Sequence, residues 1–155
     1  MSPLPQAAWA AALARGFDAH CLARFHVVAP CTQDEAVAST LAVLQHDVAE
    51  DFALYALPEE AGFVGVEASL NFLTTFSLYP QRRTQAGAAQ LWALVANLLR
   101  VDEPILSAVY ARNTPARCFL RRAGFRFAAA VRHPQNGRTL LLYALPPHSL
   151  CPQVD

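Results

Sequence analysis

Lysine is missing from this chain of 155 residues, and all twelve of its basic residues are arginine. With alanine so abundant, that reads as coding bias more than function. Charge is scarce as well: 15% of residues are charged, 54% are apolar, and the formal net charge is zero. Such a composition is that of a folded globular chain, since a disordered one has too few apolar groups to bury. A zero net charge supplies no bulk field toward nucleic acid or anionic lipid. No apolar run reaches the eighteen or so residues that a membrane span requires, and no membrane partner is expected. The N-terminal "AAWAAALA" is short and has no positive cluster before it, so no secretory signal is expected. Four cysteines, Cys21, Cys31, Cys118 and Cys151, are too few and scattered for a disulfide scaffold. A cytoplasmic protein with free thiols is the expectation. His20, Cys21, His26 and Cys31 lack the spacing of metal ligands, so no metal is expected. Repeats, linkers and low-complexity blocks are absent too.

What is present is a sequence of short periodic segments. Trp9, Leu13 and Phe17 recur every four residues, which predicts a helix over 5–17. "RFHVVAP" (24–30) reads as a strand that Pro30 ends. "TQDE" (32–35) has the form of a capping box, and Val37, Leu41, Leu44 and Val48 continue it as an amphipathic helix. Segments 52–57 and 63–70 flank "PEEAG" as a hairpin. A third strand, 72–79, is expected to carry Phe72, Thr74, Phe76 and Leu78 on one face. Ala88, Leu91, Trp92, Val95, Leu98 and Leu99 give the clearest helical period in the chain. "PILSAVYA" (104–111) has the continuous apolar character of a strand buried on both faces. "NTPARCFLRRAGF" then offers Asn113 or Thr114 as a cap, Pro115 at the first helical position and Gly124 as a left-handed stop. Two strands around "PQNG" close the series. The order α-β-α-β-β-β-α-β-α-β-β predicts one mixed α/β domain.

Two motifs carry the functional reading. In "LYPQRRTQAGAAQL" a strand ends at Pro80 and a helix begins after an arginine pair. The first amides of a helix lack internal partners and carry the positive end of its dipole, so they can bind a diphosphate where the residues are small. Thr84, Gln85, Ala86, Gly87 and Ala88 are small or polar, and Arg83 adds a positive group.

This stretch is similar to the V-x-P-x-x-R-x-x-G-x-G/A-x-x-L motif of the GNAT superfamily of acyl-CoA-dependent N-acyltransferases. Leu78, Pro80, Arg83, Ala86, Ala88 and Leu91 stand at its places. "NTPARCFLRRAGF" resembles the family's N-x-x-A-x-x-F-Y-x-x-x-G-F through Asn113, Ala116, Phe119, Gly124 and Phe125. Neither motif is diagnostic alone; their order and their separation by one helix and one strand give the match its specificity. It covers residues 24–146 and implies a GNAT-like α/β (α+β) domain with a mixed, mostly antiparallel twisted sheet of about seven strands and helices on both faces. Residues 1–23 form an N-terminal helical extension and 147–155 a tail.

The resemblance implies that acetyl-CoA, or another acyl-CoA, is the co-substrate, and that its diphosphate lies on the turn after Arg83. It implies that the pantetheine arm pairs with strand backbone around Phe76, Ser77 and Leu78, and that the region of Asn113, Arg117 and Phe119 lies near the nucleotide half. The implied activity is acyl transfer to an amine by direct attack in a ternary complex. A catalytically silent GNAT-like module that binds coenzyme A or a protein is the alternative. Ala86 departs from a motif glycine. Leu120 stands where many members have a tyrosine that protonates the leaving thiolate, so Tyr110 and Cys118 are candidate replacements. Glu67, mid-strand in "FVGVEASL", is the candidate base and is expected on the face opposite Val64, Val66 and Leu70; a charge at a solvated sheet edge is the other reading of it. The amine acceptor is unknown, and the acidic "QHDVAEDF" is one guess at what would face it. The Trp9, Leu13 and Phe17 face is either cover for the sheet or a surface for a homodimer.

Overall fold

The computed structural model describes residues 2–18, 22, 32–134 and 137–151, so the strand expected over 24–30 lies outside the described residues. A 3-10 turn at Gln6–Ala8 leads into α1 (Trp9–Gly16). Helix α2 (Gln33–His46) starts at Thr32, whose hydroxyl oxygen accepts from the Glu35 amide at 3.1 Å and donates to the Glu35 carboxylate at 3.2 Å. Strands β1 (Phe52–Ala56), β2 (Gly62–Glu67) and β3 (Phe72–Leu78) follow as an antiparallel meander. After α3 (Gln85–Leu98) come β4 (Ile105–Tyr110), α4 (Thr114–Arg122), β5 (Arg126–Arg132) and β6 (Thr139–Leu145). The sheet order is β1-β2-β3-β4-β6-β5, and the β3–β4 pair is parallel while the others are antiparallel. Six strands are therefore present among the described residues, where about seven were expected.

Each face of the sheet has its own apolar layer. Leu73, Leu78, Val64 and Val66 join Leu91, Leu94 and Val95 of α3 and Leu120 of α4 in one cluster. Leu54 and Phe63 join Trp9, Leu13 and Phe17, with Ala36 and Leu44 of α2, in the other. The apolar face of the N-terminal helix thus covers the sheet of its own chain. Arg126 to Arg132 is nearly all exposed, since β5 is the outer strand and neither helical layer reaches across it.

The third strand departs from the expected alternation. Val66 pairs with Leu73 and Gly65 with Thr75, which leaves Thr74 as an extra, unpaired residue. Such a bulge sends two consecutive side chains to one face and reverses the alternation beyond it. Leu73, Phe76 and Leu78 consequently share the α3/α4 face, whereas Phe72 and Thr74 do not. Strand β4 is also less covered than its apolar run implies: Ile105, Ser107 and Val109 are buried, but Leu106, Ala108 and Tyr110 are only half-buried.

What matters most for function is where β3 and β4 stop pairing. Their ladder runs only through Phe72–Leu106 and Leu73–Ser107. Asn71 fixes this closed end from a left-handed conformation (φ 50°, ψ 45°) that asparagine tolerates better than most side chains. Its Nδ2 donates to the Arg100 and Pro104 carbonyls at 3.0 and 2.9 Å, and its Oδ1 accepts from the Arg100 amide at 2.8 Å. The Leu106 amide donates back to the Asn71 carbonyl at 3.1 Å. Ser107, fully buried, donates from Oγ to the Leu73 carbonyl at 2.9 Å, at the last pair before the strands part. Asn71→Ala would leave three backbone groups short of a partner inside the protein. It is expected to cost about 3 kcal/mol in urea denaturation; a loss under about 1 kcal/mol would show that water replaces the amide and that the pin is dispensable.

Candidate active site

Beyond Leu73 and Ser107 each strand keeps its other neighbour: β3 stays paired with β2 and β4 with β6. The two therefore diverge as the sides of a wedge. A cavity of about 1070 Å³ opens there, between the far end of β3 and the helices α3 and α4. Phe76, Ser77 and Leu78 form its strand side, and Arg83, Thr84, Gln85, Ala88, Ala89 and Trp92 its α3 side. Asn113, Pro115, Ala116, Phe119, Arg122 and Ala123 form its α4 side. An aromatic stack runs behind it: Phe119 lies 5.6 Å from Phe76 and 5.2 Å from Trp92, both nearly parallel, and Trp92 lies 5.5 Å from Phe125. Stacked rings of this kind hold α4, α3 and β3 at fixed separation, which keeps the wedge open.

The helix entrance follows from local chemistry. Thr84 is the cap of α3, and its hydroxyl accepts from the Gly87 amide at 3.1 Å. The amides of Gln85 and Ala86 open the helix with no residue inside it to accept from them. Ala86 is exposed, so its methyl group points away from the packed interior. Gly87 plays a different part: a Cβ there would stand 2.0 Å from the Arg82 carbonyl oxygen. Gly87, between the motif places held by Ala86 and Ala88, is thus required by the close approach of the preceding 3-10 turn, Pro80–Arg82. Arg83 is held by three hydrogen bonds, from Nε to the Leu78 carbonyl at 3.0 Å and from its two terminal nitrogens to the Asp18 carboxylate at 3.1 and 2.8 Å. The residue after α1 is thereby tied to the cavity mouth.

Asn113 caps α4, with Oδ1 accepting from the Ala116 amide at 3.3 Å, and Pro115 occupies the second helical position instead of the first. Gly124 ends the helix at φ 105°. Leu120, at the place of the family tyrosine, is fully buried and does not line the cavity. Arg117 does not line it either. Its guanidinium turns to the other side of α4, where Nε donates to the Tyr143 hydroxyl at 3.2 Å and Nη1 to the Ala111 carbonyl at 2.9 Å. Tyr110 lies at the far end of β4 beside His133 and Arg138, in a separate depression. Cys118 is exposed on α4. The cavity therefore gathers Phe76, Ser77, Leu78, Arg83, Thr84, Gln85, Ala88, Asn113 and Phe119 from the sequence reading, and leaves out Ala86, Gly87, Arg117 and Tyr110.

Arg122 is a lining residue that the sequence reading does not single out. The signal was present: Pro115, Phe119 and Arg122 share one helical stripe by four- and three-residue steps. Among the described residues no Asp or Glu lines the cavity; Arg83 is paired with Asp18 at its mouth, and Arg122 adds a cation that stands in no described ion pair.

Glu67 is 7% exposed, on the face opposite Val64 and Val66 as its parity requires. It is not at a solvated edge. One carboxylate oxygen accepts from the Ala49 amide at 2.7 Å, and the other from the Thr74 hydroxyl at 2.5 Å. Thr74 is the bulge residue immediately past the last β3–β4 pair, so the carboxylate stands one hydrogen bond from the apex of the wedge. Tyr79, just after β3, donates from its hydroxyl to the Ala12 carbonyl at 3.3 Å, and burial raises its pKa above the ordinary 10.0. The protonated form favoured by folding contributes its stability in full below pH 10.0 and loses it as pH rises through the raised value.

No protein-family model matches the chain, and no curated protein sequence does. Solved structures do match it. A GNAT-family structure from Chromobacterium violaceum superposes with a TM-score of 0.60 at 21% identity, over 94% of this chain and 81% of that one. The ribosomal-protein-S18-alanine N-acetyltransferase from Escherichia coli gives 0.55 at 21% identity, over 99% and 94%. RimL, a ribosomal L7/L12 alpha-N-protein acetyltransferase solved in complex with coenzyme A, gives 0.55 at 16% identity, over 95% and 93%. Identities this low show the fold alone, and the fold is GNAT.

The glycine assignment separates two substitutions one residue apart. Gly87→Ala forces the Arg82 carbonyl to move and is expected to lower stability by about 2 kcal/mol or more. Ala86→Gly at the exposed neighbouring site costs only the helix propensity, about 1 kcal/mol. Thermal melts of the two variants decide the matter; equal destabilisation would contradict the assignment.

Proposed function

We propose that the chain transfers an acetyl or other short acyl group from a coenzyme A thioester to an amine. The observation that carries this reading is the wedge: two parallel neighbours that pair at one end, part at the other, and open toward the start of a helix with unpartnered amides. A long ligand with a negative end and an extended amide-bearing arm fits such a site. The diphosphate would meet the Gln85 and Ala86 amides and the Arg83 and Arg122 guanidiniums. The arm's amides would take up strand-like hydrogen bonds along Phe76 to Leu78, where β3 lacks a β4 partner. The thioester would then lie toward Thr74, where the wedge closes. The fit rests on the cavity's volume, the absence of Asp and Glu from its lining among the described residues and its aromatic wall, and the RimL complex with coenzyme A is a precedent in the same fold.

Glu67 is the proposed proton acceptor. An ammonium is not a nucleophile, so the incoming amine must lose a proton before or as it attacks. The Glu67 carboxylate, held by Ala49 and Thr74 at the apex, would take that proton directly or through one water. The amine nitrogen bonds to the acyl carbon, the carbon–sulfur bond breaks, and the electron pair leaves on sulfur. Among the described residues the cavity lining contains no tyrosine, cysteine or histidine to protonate that thiolate. The thiolate would leave unassisted and take its proton from solvent, which a thiol with an ordinary pKa near 8.5 tolerates. Tyr110 and Cys118 stand too far aside to be assigned this step. The acceptor is an amine of a small molecule or a protein, and the donor cofactor is acetyl-CoA or a close analogue, with no metal.

Calorimetric titration with acetyl-CoA, followed by thiol release over a panel of amines, tests the proposal. Saturable binding with amine-dependent thiol release is expected; no heat up to millimolar acetyl-CoA would overturn it, and binding without release would leave a silent cofactor-binding domain. Ala89→Asp makes the test specific. It places a carboxylate on the exposed first turns of α3 at the cavity lining. Affinity for acetyl-CoA is expected to fall about tenfold, the worth of about 1.4 kcal/mol of like-charge repulsion, while affinity for acetyl-pantetheine, which lacks the phosphates, stays unchanged. Equal loss for both ligands would contradict the placement of the diphosphate.

A further inference from the structure

The outer edge of the sheet has features that acyl transfer does not use. Strand β5 is the last in the sheet order and, among the described residues, pairs only with β6, so its other edge has no described strand partner. All of its residues except Ala129 are exposed, including Phe127 at 59% and Val131 at 49%. A groove of about 570 Å³ lies between this strand and α4, on the side of α4 turned away from the wedge. Phe125, Phe127 and Tyr143 form its floor, and Arg117, Arg121 and Arg126 stand around it. Arg117 is already aimed by its bonds to the Tyr143 hydroxyl and the Ala111 carbonyl, and the Phe127 and Tyr143 rings meet edge to face at 6.2 Å.

The stretch of sequence that forms this groove contains no acid of its own. Seven arginines lie between residues 112 and 138, while no Asp or Glu occurs between Glu103 and Asp155. None of the groove's own arginines, Arg117, Arg121 and Arg126, stands in a described ion pair. The chain is neutral only because its acids are concentrated in the first two thirds. An edge strand left open is a template for another strand, and here its ends are Arg126 and Arg132. Antiparallel pairing with a second copy would set the Arg126 end of one strand beside the Arg132 end of the other, which like-charge repulsion disfavours. An acidic strand meets the opposite condition.

We infer that β5 and its arginine-rimmed groove bind an extended acidic segment of a partner protein, added to the sheet as a seventh strand beside β5. Backbone hydrogen bonds to the open edge supply the affinity. Alternate side chains supply the selection: carboxylates to Arg121 and Arg126, and an apolar residue over Phe127. A nucleic acid could satisfy the arginines but not the open strand edge, and the acidic remainder of the chain repels a long polyanion. This goes beyond the acyl transfer proposed above and stands without it.

The test uses the full chain and a fluorescein-labelled eight-residue peptide that alternates glutamate with leucine and phenylalanine. Fluorescence anisotropy is expected to show saturable binding that weakens about tenfold between low salt and 300 mM salt. Arg126→Glu is expected to weaken it about tenfold, with the melting temperature of the free protein measured alongside to show that the fold persists. A peptide of the same sequence methylated on alternate backbone nitrogens keeps the charge and loses the edge pairing, so its binding is expected to fall at least tenfold. A lysine-substituted peptide is expected not to bind. Absence of binding, equal affinity for the methylated peptide, or tighter binding of a single-stranded RNA of equal charge would each overturn the inference.

Discussion

The parting of β3 and β4 is the constraint on which the rest of the structure depends. Two strands that pair for two residues and then separate must be held at the paired end and propped at the open one. Asn71 and Ser107 do the holding, with side-chain bonds to the carbonyls of Arg100, Pro104 and Leu73 at the point where the backbone ladder runs out. The stack of Phe76, Phe119 and Trp92 does the propping. Neither group of residues carries chemistry of its own, yet both set the width and direction of the cavity. The bulge at Thr74 belongs to the same device: it turns the later half of β3, so that Phe76 and Leu78 face the helices that wall the wedge.

The same turn of the strand brings the two faces of the sheet into communication at one place. Thr74 directs its hydroxyl away from the cavity to Glu67, whose carboxylate is also fixed by the amide that follows α2. A buried carboxylate is tolerated only where donors satisfy it, and Ala49 and Thr74 supply two. Its position beside the apex, and on the opposite face from the cavity, suits a division in which donor and acceptor approach from different sides of the sheet. Arg83 makes a comparable link at the mouth. It joins the end of β3 to Asp18 after α1, so the N-terminal helix and the cavity entrance share one hydrogen-bonded group.

Much of this was legible in the sequence, for physical reasons that differ by element. The helices at 33–46 and 85–98 follow from apolar period, and the first is also announced by Thr32, whose capping chemistry needs no tertiary contact. The fold itself was legible through two motifs that place a helix start and a helix cap on either side of the wedge, and the structural likeness to GNAT proteins agrees with them. The facing of β3 was not legible, because a bulge is set by the register of the partner strand and not by the strand's own residues. Nor was the steric part played by Gly87, which leaves room for a carbonyl five residues earlier. Arg117 was expected near the nucleotide half, and packing against Tyr143, which no local pattern announces, turns it to the other side of its helix while Arg122 lines the cavity.

Hydrogen exchange measured with and without acetyl-CoA tests the central claim most directly, because it reports on the strand edge itself. If the parted strands take the ligand's arm, the amides within 74–78 that face away from β2, and those of Gln85 and Ala86, slow at least tenfold at saturating acetyl-CoA, while those of 52–56 in β1 do not change. Protection confined to other segments, or exchange of 74–78 that is already as slow without ligand as that of the paired residues of β2, would contradict the account.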